Sequence, residues 1–225
     1  MKRRTALGLI AVGGASAVVT RLAVSPGARE RARTVTVPRF ELPLKIPPLL
    51  QPTKQTDRQD EYEILQREAE QEILPGHATL IWGYKGCFPG PTIRVKRDRT
   101  AVVRHTNRLS TRTVVHLHGG VTPSGSDGFA MDMVAPGESR TYTYPNRQRA
   151  STLWYHDHAM DRTGENIYRG LAGFYIIYED EEAALSLPQG QFDVPLLLQD
   201  RSFNADGSFH TMTTGTGDSG ETCCW

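Results

Sequence analysis

From Tyr62 onward the chain is a succession of short apolar runs, each cut off by turn residues. ATLIWGY (78–84), TIRVKRD (92–98), TAVVRHTNRL (100–109), TVVHLHG (113–119), SRTYTYPN (139–146), STLWYHDH (151–158), AGFYIIYED (172–180) and VPLLLQD (194–200) follow one another. They are rich in Val, Ile, Thr, Tyr and Trp, which fit a pleated, half-buried surface. FPGP, NRLS, GGVTPSGSDG and APGES separate them. Many short strands at this spacing, without intervening helices, predict an all-β sandwich or barrel with Greek-key connections. Two segments are less simple. YEILQREAEQEI (62–73) alternates only in part, and its Glu, Gln and Ala favour a helix, so strand and helix both stay open. DRTGENIYRGLAG (161–173) predicts a helical turn ahead of the strand GFYIIYE. Upstream, residues 24–60 are Pro- and charge-rich, and FELPLKIPPLLQP predicts extended or polyproline structure.

Composition narrows the function classes. With 38% hydrophobic and 23% charged residues, the 225-residue chain is globular in character, with room for one ordinary domain plus extras or for two small ones. A formal net charge of +1 gives no argument for a nucleic-acid partner. The three cysteines, Cys87, Cys223 and Cys224, are odd in number and lack CxxC spacing, so they are not a disulfide framework. No phosphate loop, zinc ribbon or dinucleotide fingerprint is present. The first residues have the layout of an export signal: Lys2, Arg3 and Arg4, a mild Gly/Ala-rich stretch from Ala6 to Val19, then Arg21. The twin arginine resembles a Tat signal, which predicts export to the periplasm, cell surface or medium. A membrane anchor is the competing reading, but the apolar stretch is short of the ~20 residues a span needs. The expected organisation is therefore an export signal (1–30), an extended Pro-rich segment (31–60), a β domain (61–210) and an aberrant tail (211–225).

Four of the seven histidines form two H-x-H pairs at the ends of apolar runs: His116 and His118, then His156 and His158. Side chains alternate on a strand, so each pair shares a face. One such pair is either half a metal site or two polar residues on a wet face. Two pairs, beside glycine or aromatic residues, favour a metal site, and imidazole suits copper, zinc, iron or nickel. Asp157 would face away from its histidine neighbours. Gly119 and Gly120 are expected to end the strand and turn the loop toward Asp127. His77, His105 and His210 are scattered; Cys87, in GCFPGP, reads as a small apolar filler. Met131 and Met133, in FAMDM, suit Cu(I), but loop packing is the simpler role.

WGYKGCFPGPTIRVKRD, VVHLHGG, YPNRQRASTLWYHDHAM and NIYRGLAGFYIIYEDE together resemble the first cupredoxin domain of the multicopper oxidases, nearest the spore-coat laccase and bilirubin oxidase branch. The resemblance covers about residues 40–210. It implies a cupredoxin-like Greek-key β-sandwich and copper as cofactor, with dioxygen reduced to water at the expense of a phenolic or similar donor. By this resemblance His116 is a ligand of the type 2 copper, and His118, His156 and His158 are ligands of the type 3 pair. Asp127, in PSGSDG, matches an acidic residue that assists proton delivery; an Asp before Gly is also an ordinary turn former.

The pattern departs from the family in one respect. The family's trinuclear cluster uses eight histidines, and four come from a C-terminal cupredoxin domain. The type 1 site, with two His and a Cys, is also expected to be absent, so activity calls for further cupredoxin domains or a partner subunit. The tail MTTGTGDSGETCCW suggests a reason. Cys-Cys-Trp, read two bases later, encodes two leucines whatever synonymous codons are used, and family members carry a strand of the type GD-apolar-LVNG here. The expectation is a frameshifted or mis-called N-terminal fragment of a longer oxidase. The alternatives are a natural short protein with an unrelated tail and a copper-binding fragment without turnover.

Overall fold

A computed structural model describes residues 37 and 39–210. The export signal and the tail lie outside the described residues. Among the described residues, no helix is long and apolar enough to cross a membrane.

Among the described residues, nine strands build two sheets. The first holds β1 (Lys54–Gln55), β2 (Gln59–Leu74), β3 (His77–Tyr84), β5 (Thr100–Asn107) and β7 (Ser139–Tyr144). The second, in the order β4-β9-β8-β6, holds β4 (Gly90–Lys96), β9 (Ala172–Tyr178), β8 (Ser151–Asp157) and β6 (Val115–His118). Two pairings are parallel, β2 with β5 and β4 with β9, so the chain crosses between sheets rather than meandering within one. Two short helices follow β8 and β9: α1 (Thr163–Arg169) and α2 (Asp180–Ala183).

The inner faces form the core. Tyr62, Ile64, Val103, Tyr142 and Tyr144 come from the first sheet; Ile93, Val95, Leu117, Tyr155, Tyr175 and Ile177 come from the second. Each set follows the period-two rule along its strand. His105 is buried among Tyr84, Tyr142 and Tyr155, with ring centroids 5.6–6.0 Å away. Burial pushes its pKa down to about 3, so this imidazole is a neutral core residue.

The ambiguous segment 62–73 is strand. Tyr62, Ile64 and Gln66 point inward, the charged residues point outward, and β2 bonds β1, β3 and β5 along its 16 residues. Three partners outweigh a helix-favouring composition. The helical turn expected within 161–173 is α1. VPLLLQD is not a strand. It makes no ladder pairing among the described residues, and Leu196 and Leu198 stand exposed. Its apolar pattern reads as strand, but a strand also needs a neighbouring sheet edge.

Candidate metal centre

The site grows from β6 and β8. They pair antiparallel with His116 opposite His156 and His118 opposite Trp154. Leu117, Leu153, Tyr155 and Asp157 turn into the core, so the alternating residues project together from the outer face. The chain runs on from β8 with the His158 N–H donating to the Val114 carbonyl (2.9 Å), which carries His158 alongside.

All four imidazoles therefore meet. His116 lies 5.6, 5.4 and 5.2 Å, centroid to centroid, from His118, His156 and His158. His156 lies 5.5 Å from His118 and 5.9 Å from His158. His116, His118 and His156 each offer a ring nitrogen within 4.8 Å of the other two. The Trp154 indole stacks on His156 at 4.0 Å and on His118 at 5.2 Å, so one plate steadies both rings.

Hydrogen bonds set what each ring can offer. His116 Nδ1 faces the Asp127 carbonyl at 2.5 Å, and His156 Nδ1 faces the Asp157 carbonyl at 2.8 Å. A carbonyl accepts only, so both Nδ1 atoms carry the proton and each Nε2 is left with its lone pair as an acceptor or ligand atom. His118 Nδ1 faces His156 Nε2 at 3.3 Å. His158 Nδ1 is buried without a partner among the described residues. Burial pushes the pKa of His156 down to about 3 and lowers that of His158, with the neighbouring imidazoles adding to both shifts. Neutral imidazole is the metal-binding form. Converging lone pairs, neutral rings and an orphaned ring nitrogen fit a metal that takes nitrogen ligands.

Two carboxylates flank the cluster. Asp127 is half-exposed, with Oδ1 3.7 Å from His116 Nδ1 and a 3.4 Å hydrogen bond from Thr122 Oγ1. It follows a one-turn 3-10 segment, Ser124–Ser126. Gly128 lets this loop lie against β6: its φ is +82°, and a Cβ there would fall 2.1 Å from the Val115 oxygen. Gly119, at φ +80°, ends β6. Asp157 is buried, and burial raises its pKa to about 6.

The remaining sequence candidates lie elsewhere or play other parts. Cys87 is half-buried, donates to the Tyr84 carbonyl (3.3 Å) and has its thiol pKa raised by burial. Met131 is exposed and Met133 half-buried on the loop beyond Asp127. Sequence reasoning missed Trp154 and Tyr142, whose hydroxyl accepts from the Val115 N–H (3.0 Å). Trp154 was readable two residues before His156 on the same strand face. Tyr142 was not, because it reaches β6 from the other sheet.

A two-sheet sandwich with imidazoles gathered on adjacent strands defines a metal-binding protein of cupredoxin type. Residues 67–182 match the family described as multicopper oxidase, and the chain belongs to that family. It is 41% identical over 207 residues to a laccase of Bacillus subtilis, covering 77% of this chain and 40% of that protein. It is 43% identical over 184 residues to a bilirubin oxidase of Albifimbria verrucaria, covering 77% of this chain and 32% of that one. The crystal structure of a laccase from Pediococcus acidilactici superposes with a TM-score of 0.73 at 31% identity, over 79% of this chain and 39% of that chain. This chain thus spans about two fifths or less of the length of these relatives.

Proposed function

We propose that this chain supplies one wall of the copper centre of a laccase- or bilirubin-oxidase-like enzyme. The reaction is one-electron oxidation of phenolic or similar donors coupled to four-electron reduction of dioxygen to water. The observation that carries the reading is the register of β6 and β8, which sets His116 opposite His156 and brings three ring nitrogens within 4.8 Å. We assign His116 to a type 2 copper and His118, His156 and His158 to a type 3 pair. Bound copper supplies reversible one-electron chemistry and open positions for dioxygen.

The chain's own residues prepare that chemistry. The carbonyls of Asp127 and Asp157 hold the Nδ1 protons of His116 and His156, leaving Nε2 as the ligand atom on each. Trp154 limits rotation of the His118 and His156 rings and screens one side from water. Asp127 is the proton-delivery group. Its half-exposed carboxylate stands between solvent and the imidazoles, with Oδ1 3.7 Å from His116 Nδ1.

The remaining ligands and the electron-accepting type 1 site are assigned to further cupredoxin domains or a partner subunit. We also propose export by the twin-arginine route; Arg3→Lys with Arg4→Lys should retain the protein in the cytoplasm. The copper reading is tested by loading the chain with copper, alone and mixed with the remaining cupredoxin domains of a related laccase, and following oxygen uptake with a phenolic donor. Copper held by the chain alone, with uptake that arises only in the mixture and is abolished by His116→Ala, supports it; failure to hold copper at all refutes it. Copper held without uptake in either sample identifies the second reading, a non-catalytic copper-binding fragment.

A further inference from the structure

Two short H-x-H segments make a site only while each is fixed against the other. β6 is a four-residue edge strand, and its pairing with β8 reaches back only to Val115. The carbonyl of the residue before it, Val114, already accepts from the His158 N–H, but the Val114 N–H and the residue after His158 need other anchors. A single side chain supplies both. Asp157 Oδ2 accepts from the Val114 N–H at 3.0 Å, and Oδ1 accepts from the Ala159 N–H at 3.0 Å. Oδ1 also accepts from the Asn166 amide on α1 at 2.7 Å. The carboxylate is fully buried and points away from the imidazoles, while the Asp157 backbone carbonyl bonds His156 Nδ1.

All three of its partners are donors. A carboxylate accepts at both oxygens, whereas an amide must turn an NH2 toward one of these N–H groups. No cation pairs with Asp157 among the described ion pairs, so its burial is poorly explained as a device for stability.

We propose that Asp157 is the positioning residue that locks the His116/His118 segment against the His156/His158 segment, fixing the spacing of the four imidazoles for a metal. The role rests on the copper reading above. Asp157 acts behind the ligands, through the backbone at Val114 and Ala159, and Asn166 steadies it from α1.

The test uses the 225-residue chain and Cu(II), with affinity measured by chelator competition and the bound ion followed by electron paramagnetic resonance. Asp157→Asn should weaken copper binding about tenfold or more and alter the nitrogen hyperfine pattern in protein still folded by circular dichroism. Asn166→Ala leaves the carboxylate in place and should weaken binding less. Val103→Ala, in the core of the other sheet, should lower the melting temperature yet leave affinity and spectrum unchanged. That contrast separates positioning from general stability. If Asp157→Asn does not fold, Asn166→Ala decides: an unchanged affinity and spectrum overturns the proposal. Folded Asp157→Asn with wild-type affinity and spectrum also overturns it, while leaving the copper reading intact. A wild-type chain that binds no copper overturns both.

Discussion

Gly128→Ala probes the contact that brings the Asp127 loop to the imidazoles. An alanine Cβ at 128 would lie 2.1 Å from the Val115 oxygen and 2.7 Å from the His116 Cα. Carbon–oxygen contacts do not close much below ~3.3 Å, so the loop must retreat by about 1 Å. The backbone at φ +82° adds strain, because a left-handed conformation costs about 1–2 kcal/mol for a residue with a Cβ. Overpacking adds about 1–3 kcal/mol, giving an expected loss of about 2–5 kcal/mol in urea unfolding. Retreat of the loop also breaks the Asp127 carbonyl bond to His116 Nδ1 and frees that ring to change tautomer. Copper affinity, measured by chelator competition, should fall about tenfold or more. Gly125→Ala is the matched control, on the same loop with no atom within 4 Å of the added Cβ. It should change neither quantity appreciably. If the two variants behave alike, the loop does not press on β6 and the reasoning is wrong.

Three further outcomes follow from the same geometry. The unfolded chain protonates His105 near pH 6.5, but the folded chain does so only at about 3, so between these values the unfolded state holds the extra proton. That group removes about 1.4 kcal/mol of stability per pH unit as pH falls below 6.5; His105→Phe should therefore unfold less steeply with acid than the parent in pH-dependent urea titrations. Trp154→Ala should lower copper affinity by loosening His118 and His156, and in the parent chain copper should quench Trp fluorescence; no loss of affinity would leave the stacking without a role. Asp60→Asn weakens a part-buried pair with Arg99, whose bonds of 2.6 Å hold the Asp60 carboxyl below its usual pKa, and should cost about 1–3 kcal/mol by thermal or urea unfolding.

Period-two alternation was enough to put His116 with His118 and to turn Asp157 inward, because it is a local property of one strand. The register of β6 on β8 is not local. It matches residues some forty positions apart, so the facing of His116 and His156 appears only in the fold. Composition pulled 62–73 toward helix until β1, β3 and β5 decided it, and VPLLLQD lacks the sheet edge its pattern asks for. Asp127 was visible as an acidic loop residue, but its approach to His116 depends on Gly128 fitting under Val115. The role of Tyr142 arises from a contact between segments 27 residues apart, and that of Asn166 from the way α1 folds back on the end of β8.

The central claim is that the two H-x-H segments form one metal-binding wall. X-ray absorption spectroscopy of the copper-loaded chain, compared with His116→Ala and His156→Ala, tests it most directly. Copper bound by imidazole nitrogens, with ligands lost in each variant, is the predicted result. Copper whose coordination is unchanged when both histidines are replaced would contradict the account.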